Sequence, residues 1–339
     1  MTAMNPLNPP GEPTSRAVQN AFETFARELN LDRVERRDAS EKLDEVTQRL
    51  RDEGIITDAF LQGSLARRTM VSPLRDIDEV VILGPEHAHL RGIEGGARGA
   101  ADLIGGALRR QYPGATHDVS RHSLKVDFGE DTFSFDVVPA FEVLDGSDDV
   151  EIMDLTHGLW SRSNPRELIR VVAERDRLCG GAFVHQVRFV KHWLRQALGD
   201  DFPGLHAEAI AYACIDELLG HAEAVERVFM EGARLLGPLG GYWDPTGRDR
   251  LDERLDAGIR ANARAAFEGA ANSVNEAMEH VARGRDEAAL AIFADVFGPL
   301  FPRPVAQEGP RRLTPGAATA AALRSVEPPG PTPRAWRSS

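Results

Sequence analysis

The stretch FLQGSLARRTMVSPLRDIDEVVIL, Phe60 to Leu83, decides the fold. A short apolar run ends at Gly63-Ser64, a polar loop follows, and Asp76-Ile77-Asp78 opens a second apolar run from Val80 to Leu83. The pattern reads as strand, turn, loop, strand. Side chains alternate faces along a strand, so Asp76 and Asp78 project on the same side. Carboxylates that close repel unless a cation lies between them. Mg²⁺ is the hard ion that bridges one or two carboxylates to a nucleotide's phosphates. Gly63 would let the backbone approach a triphosphate, and Ser64 with the neighbouring amides would donate to its oxygens. Arg67 and Arg68 stand just beyond, and Arg67 is assigned to the nucleotide as well.

A two-metal site needs a third acid, and Asp136 in TFSFDVVP, Thr132 to Pro139, supplies it. In that segment Phe133, Phe135 and Val137 share one strand face, while Ser134, Asp136 and Val138 share the other. An acid inside so apolar a strand requires a partner.

The 339 residues carry 42% hydrophobic and 27% charged side chains, the composition of a globular protein with one large or two ordinary domains. No apolar run has the length of a membrane span, and the first residues show no secretory signal pattern, so a cytoplasmic, membrane-free protein is expected. Cys179 and Cys214 read as buried small side chains rather than a disulfide or zinc framework. A formal charge of -13 disfavours a surface that holds long nucleic acid, and favours free nucleoside triphosphates drawn into a metal-lined cleft.

Along the chain, a flexible leader over 1–15 precedes one long or two consecutive helices. A helix is expected over 90–112, a hairpin from 123–128 and 132–138, and a short strand over 150–155. From Trp160 the pattern turns helical, with Ser161 to Asn164 before Pro165 as a helix start. Helices are expected near 165–178, 181–198, 205–220, 221–236, 249–281 and 285–297. The domain reading is therefore helical spine and catalytic core over 16–160, helical lobe over 161–306, and a flexible tail over 307–339. On the helix from Phe183 to Leu198, Lys191 lies at the edge of an apolar stripe, where it must snorkel outward or meet an anion; a triphosphate is the anion expected.

Gly-Ser followed by Asp-x-Asp and a later strand Asp resembles the polymerase-beta-like nucleotidyltransferase superfamily. WSRSNP (Trp160 to Pro165), VRFVKHW (Val187 to Trp193), GLHAE (Gly204 to Glu208) and IFADVFGPLFP (Ile292 to Pro302) narrow the resemblance to the bacterial cyclic-oligonucleotide synthases called CD-NTases. It covers roughly residues 17 to 302. The resemblance implies an α+β, bilobed fold with a mixed-sheet nucleotidyltransferase core. It implies two Mg²⁺ ions, with Mn²⁺ as a substitute, held by Asp76, Asp78 and Asp136; Gly63, Ser64 and Lys191 would contact the triphosphate. A cyclic di- or trinucleotide made in anti-phage signalling is the implied product, and a regulatory or conjugating protein the implied partner, with the tail from Pro328 to Ser339 as the segment a conjugating partner would attach. Two rivals stand beside this reading: transfer of nucleotides to RNA or protein, as in toxin-like enzymes, and a catalytically silent nucleotide-binding scaffold.

Overall fold

The computed structural model describes residues 15–129 and 133–304. Two helices open it, α1 (Arg16–Glu28) and α2 (Arg33–Asp52), so the expected helical opening resolves into two segments. The break falls where Asp32 and Glu35 form a capping box: each carboxylate accepts the other residue's amide, at 2.8 and 2.9 Å.

The stretch from Phe60 to Leu83 follows within β1 (Ile56–Gln62), a single turn of helix α3 (Gly63–Ala66), and β2 (Asp76–Leu83). Next comes a 3-10 segment, Pro85–Arg91, before α4 (Gly96–Gln111). The helix expected from residue 90 therefore starts later, because Gly95 takes a left-handed φ of +74° that ends the 3-10 segment's approach and starts the new helix.

Then come β3 (Thr116–Val119), β4 (Leu124–Asp127) and β5 (Ser134–Glu142), the last two forming the expected antiparallel pair. The turn residues 130–132 of that hairpin lie outside the described residues, as do the leader over 1–14 and the tail from residue 305. β6 (Val150–Asp154) pairs with β7 (Leu159–Ser163), so most of the segment expected to lead into a helix is strand. The helix start itself is at Asn164, whose side chain accepts the Glu167 amide at 2.7 Å, with Pro165 in the first turn.

The remaining helices are α5 (Pro165–Leu178), α6 (Phe183–Leu198), α7 (Gly204–Cys214), α8 (His221–Leu235), α9 (Ala257–Ala282) and α10 (Asp286–Phe297). Two expected boundaries are corrected. α7 stops at Cys214 rather than 220, and α9 begins at Ala257 rather than 249. Ahead of α9 a loop is folded on Asp244, which accepts the amides of Arg248 and Asp249 at 2.9 and 3.1 Å. An aspartate used this way competes with helix formation.

The seven strands form one mixed sheet in the order β1-β2-β5-β4-β3, with β6 on the far end of β5 and β7 beyond it. β2 and β5 run parallel; the other pairs are antiparallel. Ile77, Val81, Phe135 and Val137 face a core shared with α2 and α4, while Val80, Ile82, Val138 and Ala140 face the other side. A second, larger core joins α1 to the C-terminal helices. Phe25 lies 5.1 Å from Phe189 and 5.2 Å from Phe297 between ring centroids, and Phe22 lies 5.0 Å from Phe301. The phenylalanines of the FGPLFP segment therefore anchor α1 against α6 and α10. Among the described residues no helix is long and apolar enough to cross a membrane.

Candidate active site

β2 and β5 lie side by side in parallel, with Asp78 opposite Asp136 and Asp76 opposite Ser134. The alternation that sends Ile77 and Phe135 into the core sends Asp76, Asp78 and Asp136 together to the opposite face. One oxygen from each of the three carboxylates lies within 4.8 Å of the other two.

Burial, then Asp76 and Asp136, push the Asp78 carboxyl up to about 7. Burial likewise raises Asp136, opposed by Lys125, its cross-strand neighbour on β4, and by the Ser123 hydroxyl, which donates to Asp136 Oδ1 at 3.2 Å. Three crowded acids, none in an ion pair among the described residues, form a donor set suited to hard divalent cations.

Gly63 has a geometric role beyond the one expected of it. Its φ is +70°, and a Cβ built there would lie 1.8 Å from Asp78 Oδ2. Glycine is what allows the Asp78 carboxylate to lie against the turn between β1 and α3. Ser64 follows on the cleft wall, its Oγ 3.6 Å from Met70 Sδ.

Arg67 and Lys191 converge on one acid, Glu208 of α7. Arg67 Nε donates to Glu208 Oε2 at 2.7 Å and its Nη2 to Oε1 at 3.2 Å; Lys191 Nζ donates to Oε1 at 2.9 Å, and the Thr69 hydroxyl to Oε1 at 2.7 Å. Lys191 thus neither snorkels nor waits unpaired: it meets an anion within the protein. The loop carrying Arg67 is held from behind by Arg188, whose Nε donates to the Arg68 carbonyl at 2.9 Å.

These groups line a cleft of about 970 Å³ between the sheet and the C-terminal helices. Its walls include Gly63, Ser64, Arg67, Asp76, Asp78 and Lys191. Arg248, from the loop before α9, crosses to Glu167 at 2.6 Å and to Asp149 at 3.2 Å, tying one rim to the other. Glu208, Lys125, Arg195 and Arg248 received no role in the sequence reading. Glu208 carried a signal: it is the one charged residue of the otherwise apolar helix GLHAEAIAYAC, and a buried charge demands partners.

Residues 17–176 match the Second Messenger Oligonucleotide or Dinucleotide Synthetase domain, SMODS. The chain is 22% identical over 326 residues to a cyclic AMP-AMP-GMP synthase of Enterobacter hormaechei, covering 76% of this chain and 84% of that protein. Its fold is that of E. coli MS115-1 CdnC, a protein solved with ATP and also in a HORMA complex: TM-score 0.66, 18% identity, 84% of this chain and 98% of that one. Vibrio cholerae DncV bound to 3'-deoxy GTP has the same score at 13% identity, covering 83% and 96%. Residues 17–176, the segment that carries the three acids, thus resemble a second-messenger synthetase domain, and most of the chain shares the fold of the CD-NTases CdnC and DncV.

Proposed function

We propose that the chain joins nucleoside triphosphates into a cyclic di- or trinucleotide signal, releasing pyrophosphate at each step. The observation that carries this reading is the convergence of Asp76, Asp78 and Asp136 within 4.8 Å, the first two on the wall of a cleft that also holds Gly63, Ser64, Arg67 and Lys191. In the reaction, a ribose hydroxyl oxygen of one nucleotide attacks the α-phosphorus of another; the bond to the pyrophosphate oxygen breaks, and the hydroxyl proton leaves toward Asp136 or solvent.

Two Mg²⁺ ions, or Mn²⁺ in their place, would be held by the three aspartates and would supply hydroxyl activation and neutralisation of the leaving group. The residues of the chain do the rest. Asp136 faces the attacking hydroxyl. Ser64 and the amides of the turn orient the β and γ phosphates, and the cationic pair Arg67 and Lys191 draws the triphosphate to the cleft floor. A cleft of about 970 Å³ lies at the upper end of the range for ligand sites and suits two nucleotides better than one.

The name of the curated relative supports a cyclic product, and the HORMA complex of CdnC supports a regulatory protein partner; the signal's role in anti-phage defence is part of the proposal. The test is incubation with all four labelled triphosphates and Mg²⁺ or Mn²⁺, followed by phosphatase and mass analysis, with and without lysate of phage-infected cells. A phosphatase-resistant product absent from Asp76→Ala and Asp78→Ala is the expected result. Labelled RNA or protein in place of that product would support a toxin-like transferase instead, and binding of triphosphate without turnover in either condition would support the scaffold reading.

A further inference from the structure

Lys191 is an unusual choice in this chain. Its only lysines are Lys42, Lys125 and Lys191, every other cationic side chain of the Lys and Arg set being arginine. Two of the three line the cleft. Lys191 packs closely on Gly204: a Cβ there would lie 3.2 Å from Lys191 Cε and 3.4 Å from Nζ.

That position is hostile to a cation. Lys191 is 5% exposed, and it lies against the first residue of α7, where the helix dipole is positive. Arg67 from the end of α3 and Arg195, one turn along α6, add like charge. Asp78 of β2 acts from across the cleft floor. Glu208 is the acid in direct contact, 2% exposed, and it receives Lys191, Arg67 and Thr69 together.

We infer that Glu208 is a positioning residue for the triphosphate: its carboxylate is the counter-charge that lets a buried Lys191 stay an ammonium and holds Arg67 beside it. Two cations on one carboxylate leave one net positive charge, fixed in place before any ligand arrives. Burial lowers the proton affinity of Lys191, and Glu208 opposes that shift. Burial would raise the Glu208 carboxyl, but Lys191 and then Arg67 more than offset it and hold it down at about 2. With Glu208 neutral, nothing in contact would offset the desolvation of Lys191, and the lysine would shed its proton more readily.

This inference rests on the nucleotide reading of the cleft, and the test separates the two. The three lysines make ¹³C-lysine labelling decisive, since Lys191 can be assigned by comparison with Lys191→Arg. In the wild type its resonance is expected to be that of an ammonium at pH 7; in Glu208→Gln its titration should move to lower pH. Calorimetry with tripolyphosphate and Mg²⁺ supplies the second arm. Affinity of Glu208→Gln should fall by about tenfold between pH 7 and 9, a slope the wild type lacks, and Glu208→Gln with Lys191→Arg should lose that slope because arginine stays charged.

An unchanged Lys191 titration in Glu208→Gln, or a wild-type Lys191 already neutral at pH 7, overturns the inference. The wild-type titration decides even if the variant does not fold. A wild type with a charged Lys191 that binds neither tripolyphosphate nor any nucleoside triphosphate overturns the nucleotide reading, whatever Glu208 does to the lysine.

Discussion

Asp78 occupies the space that a side chain on Gly63 would need: a Cβ on residue 63 would lie 1.8 Å from Asp78 Oδ2 and 2.5 Å from its Cγ. The motif glycine and the motif aspartate are one steric unit. Gly63→Ala is therefore expected to displace the carboxylate and strain a backbone at φ +70°, costing about 1–3 kcal/mol of stability. Pyrophosphate release should drop by roughly 100-fold or more, since a misplaced ligand costs that much in an aligned site. Near-normal turnover in a folded Gly63→Ala protein would contradict the steric coupling.

Asp78→Asn separates the cost of the acid cluster from its use. In the metal-free fold the Asp78 carboxyl is raised to about 7, by burial first and by Asp76 and Asp136 next. A raised carboxyl favours the fold while protonated, so that contribution is complete below the unfolded value near 4 and is lost as pH rises through about 7. With a chelator present, Asp78→Asn should be the more stable protein at pH 8, by about 2 kcal/mol, with little difference at pH 4. Activity with Mg²⁺ should be abolished at both. Urea unfolding at the two pH values measures the first effect, and the same assay without chelator should reverse its sign.

His221 gives the opposite pH dependence. Burial, and secondarily His185, lowers its imidazole to about 4, and its ring lies 5.2 Å from that of Phe189 between centroids. A lowered histidine supports the fold while neutral, so stability is full above about 6.5 and falls as pH drops toward 4. The loss assigned to His221 is about 3 kcal/mol across that window. His221→Phe keeps a ring at the site and should flatten the acid limb of the stability profile by most of that amount; an unchanged limb would assign it to other groups.

Phe25→Ala opens a hole in the aromatic cluster where α1 meets α6 and α10, against Phe189 and Phe297. The expected loss is about 3–5 kcal/mol in denaturant unfolding. Because Phe25 belongs to the C-terminal core and does not line the cleft, the turnover of the fraction that remains folded should stay close to normal at low temperature.

The convergence of the three acids in the candidate site was legible because strand alternation is a rigid rule. Once Phe60 to Leu83 and Thr132 to Pro139 read as strands, Asp76, Asp78 and Asp136 had to face one side. The sequence could not show which neighbour each strand would choose, so the parallel β2 and β5 register was invisible, as was the steric bond between Gly63 and Asp78. β3 and β7 escaped because each is short and largely polar on its exposed positions, leaving little periodicity to read. Lys191 was noticed from its place on a helical stripe, but its partner lies on another helix, and no local pattern joins Lys191 to Glu208.

The adjacency of β2 and β5 also bears on how the protein comes into being. Asp78 and Asp136 touch across a strand pair, yet α4, β3 and β4 lie between them in the chain. Closing so long a loop must precede any reward from the pairing, which makes it a slow, late event in folding. β5 must then slot between β2 on one side and β4 and β6 on the other. A nascent chain on the ribosome consequently lacks the three-acid cluster until Asp136 has emerged, and a chain that unfolds loses the cluster as soon as its central strands part.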